Sequence, residues 1–414
     1  MMENNSQTVI HAVHYKTGQN VEVKFDGNII SEVNPAPKLQ KEVPFIAPGL
    51  IDLQINGYVG IDFNTLPIKP EEIRKVTKEL WKQGVTTYFP TIITNSPEKM
   101  REALKSIREA SQKFAEVEEA IGGIHLEGPF ISPEDGPRGA HRQEYVRSPD
   151  WDLFCTFKEA AGGKIKMITL SPEWENASEF IKKCTNDGIL VSIGHTAASP
   201  EKIQEAVKAG ARMSTHLGNG AHPMLPRHPN YIWEQLANDD LASSIIADGF
   251  HLPDSVLKVI LQLKGNKTIL VSDSVSLTGM LPGEYSLHIG GKVVLTPEGR
   301  LHMAESPGLL AGSVQTQLWG INHLLKRGLC HLNSAIDLAA LNPSLLLHLP
   351  VAHISQGNPA DFILFYQKKT KDIELFKTFK NGKVVYENKE VSKHVSSYYD
   401  ELLGSSDSTF KTSS

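Results

Sequence analysis

Leu190-Val191-Ser192-Ile193-Gly194-His195, then Ser199-Pro200-Glu201, then a helical pattern closing at Gly210, then Arg212-Met213-Ser214-Thr215-His216: this stretch holds one whole unit of the fold. The first run is short and continuously buried in character, as in a strand covered on both faces of a parallel sheet. Ser199 stands where an N-cap hydroxyl accepts a free amide, and Pro200 follows at the first helical position, where its missing N–H costs nothing. Gly210 supplies the left-handed residue that ends a helix. The second run then starts a new strand.

The same grammar extends in both directions. Strand-like runs fall at 49–55, 86–93, 121–126, 165–170, 190–194, 212–216, 242–247 and 268–272, with amphipathic segments between them. Ser96-Pro97-Glu98 opens another helix, and Gly84 and Gly188 close two more. Eight strand–helix units in roughly 300 residues predict a (β/α)8 barrel of TIM type, with a doubly wound open sheet as its rival. The ends read as hairpins instead, turning at Asp26-Gly27-Asn28 and Asn381-Gly382. We therefore expect a small β-sandwich domain from 1–48 plus 355–392, a barrel over 49–354 with an inserted hairpin at 285–303, and a C-terminal tail at 393–414.

Composition narrows the class. The 414 residues carry 47 acidic and 42 basic side chains, a net charge of -5 spread along the chain. That balance gives no reason to expect nucleic acid or an anionic membrane as a partner. No apolar run approaches the roughly 18 residues of a membrane helix, and the start, Met1-Met2-Glu3-Asn4-Asn5-Ser6, lacks the pattern of a signal peptide. Three scattered cysteines, Cys155, Cys184 and Cys330, point to a reducing cytoplasm.

Polar residues stand where the apolar runs finish: Gln54 and Asn56, His125 and Glu127, His195, His216, Asp248 and His251, and Asp273. In a parallel barrel these positions converge on one face. A single histidine there is most simply a structural one, and a single Asp an N-cap. Two imidazoles and a carboxylate at matched positions of different strands instead suit a divalent metal with an open coordination position. Such an ion lowers the pKa of bound water to about 7, and a nearby Asp serves as general base and acid. The chemistry predicted is metal-assisted hydrolysis. Zn2+ or another borderline divalent ion suits these donors, and ligand type alone does not choose between Zn2+ and Fe2+ or Co2+.

At these residues the chain resembles the N-acetylglucosamine-6-phosphate deacetylases of the amidohydrolase superfamily, hydrolases of a linear amide. The likeness runs from Ala47-Pro48-Gly49-Leu50-Ile51-Asp52 to Gly357-Asn358-Pro359-Ala360-Asp361. Its most specific parts are His125-Leu126-Glu127-Gly128-Pro129-Phe130, Gly194-His195-Thr196, Ser214-Thr215-His216-Leu217, Ile246-Ala247-Asp248-Gly249-Phe250-His251, Ser272-Asp273 and Leu310-Ala311-Gly312-Ser313. The resemblance implies that Glu127, His195 and His216 bind one metal, that Asp273 is the catalytic acid/base, and that His141 contacts the sugar and polarises the acetyl carbonyl. It places Asn219, Gly220, Arg227, His251 and Leu309 on the phosphorylated sugar. It also implies a homodimer in which Arg227 reaches the neighbouring subunit's site.

Two departures carry expectations. Where much of the superfamily has a His-x-His pair and two metals, this chain has Gln54 and Asn56, poor ligands beside imidazole, so one metal is expected and these two become hydrogen-bonding residues or a vestigial second site. The segment 219–230 also differs from the family pattern, with Gly220 in place of the usual Ala and His228-Pro229-Asn230 after Arg227. Gluco against galacto preference and the need for phosphate are the properties this segment bears on. A deacetylase of another N-acyl amino sugar and a non-catalytic scaffold are the competing readings.

Overall fold

The structure is a computed structural model and describes residues 8–38, 43–286 and 291–392; the expected tail at 393–414 lies outside them. Eight parallel strands form its centre: β1 (Leu50–Ile55), β2 (Val85–Ile93), β3 (Ile124–Glu127), β4 (Ile165–Leu170), β5 (Leu190–Ile193), β6 (Met213–Ser214), β7 (Ala242–Ile246) and β8 (Thr268–Val271). Each hydrogen-bonds to the next in chain order, and helices pack outside. The expected serines cap two of those helices: Ser96 and Ser199 accept from the N–H groups of Lys99 and Lys202.

This is a (β/α)8 barrel rather than an open sheet, because β8 returns to β1. Ser274 pairs with Ile55, and the Ser272 N–H donates to Asp52 Oδ1 at 3.2 Å. Gln317, fully buried at the start of the helix Gln317–Lys326, spans the seam. Its Nε2 donates to the carbonyls of Ile51 on β1 (2.9 Å) and Leu270 on β8 (2.7 Å). One side chain thus satisfies a carbonyl on each strand where the ladder itself is incomplete.

The barrel interior has an apolar floor that includes Leu53, Phe89, Met167 and Ile269. Above it lies a polar layer. His125 Nε2 meets Thr169 Oγ1 at 2.7 Å, Thr169 meets Thr215 at 2.7 Å, and Thr215 meets Ser192 at 2.6 Å. Burial pushes His125 down to about 4, so this imidazole is a neutral member of a structural network.

Both chain ends join in one seven-stranded sheet, in the order 383–387, 373–380, 362–367, 45–48, 8–14, 20–26, 29–35. The sheet curls into a sandwich. Phe25 on the strand Asn20–Asp26 touches Phe362 and Phe379, on strands from its far half, with ring centroids 5.4 and 5.9 Å apart. The insert expected as a hairpin at 285–303 is a three-stranded antiparallel sheet of Gly283–Ser286, Lys292–Leu295 and Leu301–Met303. A second turn at Thr296–Gly299 folds the third strand back. Residues 287–290 within it lie outside the described part. Among the described residues, no helix is long and apolar enough to cross a membrane.

Candidate active site

Three strands leave the barrel by the same device. His195, His216 and Asp273 each lie two residues beyond the last residue of β5, β6 and β8, and each has a left-handed backbone, with φ of +50°, +29° and +48°. That conformation is costly for a non-glycine residue and persists only where surrounding structure enforces it. All three side chains line one cavity at the C-terminal mouth, with Glu127 and His141. Counted with its open mouth, the cavity has about 730 Å³ of free space.

Glu127, at the end of β3, is the hub. Its Oε1 lies 3.2 Å from His195 Nε2, 3.1 Å from His216 Nε2 and 2.9 Å from Gln54 Nε2, all buried. Burial works against its charge, yet the two imidazoles hold its carboxyl well below the usual carboxylate range. Burial likewise works against a proton on His216, and Glu127 outweighs it, raising that imidazole above its ordinary value. His195 Nδ1 lies 2.8 Å from the Pro137 carbonyl, which accepts only; the proton therefore sits on Nδ1 in the neutral ring. Its Nε2 lone pair then faces a carboxylate oxygen. Two acceptors at 3.2 Å require a proton or a cation between them, so the donor set fits a metal ion.

His141 completes the cluster. Ligand atoms of Glu127, His141 and His195 lie within 4.8 Å of one another, and the rings of His141 and His195 are 4.5 Å apart. Burial first, and the neighbouring His195 second, push His141 down to about 3, leaving it neutral. Its Nδ1 meets Thr94 Oγ1 at 2.9 Å. The structure thus brings four possible donors together: the Glu127, His195 and His216 set of the sequence reading, and His141. Thr94 was missed, although it stands just past the end of β2.

Asp273 faces this cluster. Burial, reinforced by the Glu127 charge, pushes its carboxyl up to about 6 against the pull of His216 and His251. Asn56 Nδ2 donates to its Oδ1 at 2.7 Å. Gln54 and Asn56 therefore each present an amide to one of the two site carboxylates.

The residues expected on the sugar phosphate are placed less uniformly. Gly220 lies against His195: a Cβ there would stand 2.8 Å from Nδ1, and its φ is +56°. His251 Nδ1 is 2.7 Å from Asp248 Oδ2, whose second oxygen accepts the N–H groups of Phe250 and His251. Asn219 Nδ2 donates to the His216 carbonyl. Arg227 and Leu309 are exposed, and Leu310, Ala311 and Gly312 rather than Leu309 line the cavity. Asp62 and Ser276, also on the cavity wall, carried no strand-end signal in the sequence because Asp62 lies in a short hairpin after β1 and Ser276 in the segment after β8.

The sequence pattern of the amidohydrolase family matches residues 45–385, most of the chain. The chain belongs to this family. It is 32% identical to the N-acetylglucosamine-6-phosphate deacetylase of Bacillus subtilis, over 89% of this chain and 93% of that one. It is also 32% identical to the deacetylase of the same name from Caenorhabditis elegans, over 82% of each chain. Among solved structures, the N-acetylglucosamine-6-phosphate deacetylase of Thermotoga maritima superposes with a TM-score of 0.78 at 27% identity, covering 92% of this chain and 99% of that one.

Proposed function

We propose that this protein hydrolyses the acetamide of N-acetylglucosamine 6-phosphate to glucosamine 6-phosphate and acetate. The observation that carries the reading is the convergence of His195 and His216 on one oxygen of Glu127, with Asp273 across the same cavity. The relatives of that activity support it. Glu127, His195 and His216 would hold one divalent ion, Zn2+ being the ion we propose, with Fe2+ and Co2+ compatible with the same donors. When bound, the ion polarises a carbonyl and makes water a better nucleophile at neutral pH.

The chain's own groups supply the rest. Asp273, ionised above about pH 6, takes a proton from the attacking water and delivers it to the departing nitrogen. The water oxygen bonds to the acetyl carbon, the C–N bond breaks, and the amine leaves neutral. The contact between Thr94 Oγ1 and His141 Nδ1 holds the ring in place, and in the tautomer protonated at Nε2 His141 would donate to the acetyl oxygen as negative charge grows there. Asn56 fixes the rotamer of Asp273, and Gln54 that of Glu127. His251, with Asn219 and Gly220, would receive the phosphate, and Arg227 would complete that pocket from the partner of a homodimer. Exposure of Arg227 on its own subunit is consistent with such a reach. A cytoplasmic setting agrees with Cys155, Cys184 and Cys330 as free thiols.

The test is amine release by zinc-reconstituted protein, with and without chelator, from N-acetylglucosamine 6-phosphate, its galactosamine epimer and unphosphorylated N-acetylglucosamine. Chelator-sensitive turnover, fastest on the first, is the expected result. Preference for either of the others would move the reading to another N-acyl amino sugar. That second reading is favoured by one observation: Arg227, Asn219 and Gly220 are not on the cavity wall of the single chain. Metal binding without turnover of any amide would favour a scaffold.

A further inference from the structure

We infer that Asp62 and Ser276 form the wall that reads the sugar's ring hydroxyls, and so determine which amino sugar is accepted. The inference rests on the deacetylase reading above. Of the described residues lining the cavity, Glu127, His141, His195, His216 and Asp273 serve the reacting amide, and Asn56 is committed to Asp273. The remaining wall is apolar apart from Asp62 and Ser276. A sugar ring brings several hydroxyls into such a space, and each costs free energy if it loses water without gaining a partner. Asp62 is the group suited to them. A carboxylate has two oxygens and accepts charge-assisted hydrogen bonds from hydroxyls, the strong kind.

The wall is also built to hold still. Asp62 ends a tight hairpin of Gly57–Tyr58 and Ile61–Asp62 that follows β1. The hairpin is laced to the segment carrying Ser276, beyond β8. The N–H groups of Asn56 and Gly57 donate to the Ser274 carbonyl at 2.8 and 3.2 Å, Val59 to Thr278 at 2.9 Å, and Gly60 to Ser276 at 2.7 Å. The approach is close enough that only glycine fits at 57: a Cβ there would meet the Ile61 carbonyl at 2.4 Å and the Ser276 nitrogen at 2.9 Å. Asp62 Oδ1 accepts the Asn64 N–H at 2.8 Å, which fixes the carboxylate's orientation. Two loops from opposite ends of the barrel sequence thus present one rigid polar face, the arrangement that favours discrimination over mere affinity.

The experiment compares the zinc-reconstituted wild type with D62N, D62A and S276A on N-acetylglucosamine 6-phosphate and on its 3-deoxy and 4-deoxy analogues. Metal content is measured for each protein. Asn at 62 keeps an oxygen for the Asn64 N–H, so D62N decides the matter alone if D62A fails to fold. The wild type should lose roughly 10- to 100-fold in kcat/KM on the deoxy analogue whose hydroxyl Asp62 receives. D62N should show a comparable loss on the parent sugar, most of it in KM, with metal content unchanged and little further loss on that analogue. Equal deoxy penalties in wild type and both Asp62 variants would overturn the inference, as would an unchanged D62N on the parent sugar. A wild type that turns over none of the sugars overturns the deacetylase reading itself and takes this inference with it.

Discussion

Asn56 and Asp273 meet across the seam of the barrel, the amide nitrogen of one 2.7 Å from the carboxylate of the other although 217 residues separate them in sequence. The two residues lie just beyond β1 and β8, where Gln317 closes the ring. The carboxylate we propose as the proton carrier is thereby held by a residue just past the strand at the opposite end of the barrel's sequence. Asn56→Ala should leave metal content intact and lower kcat about tenfold, the worth of one hydrogen bond to a charged group. Asn56→Asp should do more: a second carboxylate at that distance raises the pKa of the pair, so the rise of activity with pH moves upward. Rate–pH profiles and metal analysis of the two variants check this.

Metal removal should cost stability as well as activity. A ligand held at a hundred times its Kd contributes about 2.7 kcal/mol to the folded state. Chelation of the wild type should lower Tm accordingly. His195→Ala, which deletes one of the nitrogens facing Glu127, should bind little metal after dialysis and show no further fall in Tm on chelation. A full metal complement in that variant would place the ion elsewhere.

Gly220→Ala tests the fit of the altered segment. An alanine at φ +56° costs roughly 1–2 kcal/mol in backbone strain, and its Cβ would press on the ring of His195. Weaker metal retention is expected, visible as metal loss at lower chelator concentration than in the wild type. Unchanged retention would mean that the loop yields and His195 does not.

Lys264 gives a pH prediction far from the site. Its ammonium is buried and donates to the carbonyls of Gln235, Asn238 and Leu241 at 2.9, 2.6 and 3.0 Å. Burial pushes its pKa down to about 8 from 10.5. Between those values the unfolded chain binds more protons than the folded one, so this group's contribution to stability grows as pH rises from about 8 to 10.5 and is least below 8. Lys264→Met leaves three carbonyls without their donor and should lower Tm at every pH, the gap to wild type widening across that window. A gap that narrows there would reverse the assigned direction.

The barrel was legible because its strands are continuous apolar runs bounded by capping serines and closing glycines, and all eight lie within three residues of their expected bounds. Glu127, His195, His216 and Asp273 were legible through register: polar residues at matched strand ends share a face whatever their spacing. The sandwich followed from two turn signals, Gly27 and Gly382. Gln317 could not be foreseen. It sits in a helix start after Thr316, and nothing local says that its amide reaches carbonyls on β1 and β8. Asp62 lacked a barrel strand end to mark it, and Thr94, although it stands just past β2, gains its place in the site only from its contact with His141. The third strand of the 283–303 insert was hidden because three residues are too few for alternation to show.

The strand Phe45–Pro48 has neighbours on both sides, Thr8–His14 and Phe362–Gln367. During synthesis the first is available at once and the second only after more than 300 further residues have been made. Until then one edge of a nascent apolar strand stands open, a template for any other extended chain nearby. The strand Phe362–Gln367 thus covers that edge, and truncation before residue 362 should yield insoluble protein even though every strand of the barrel is present.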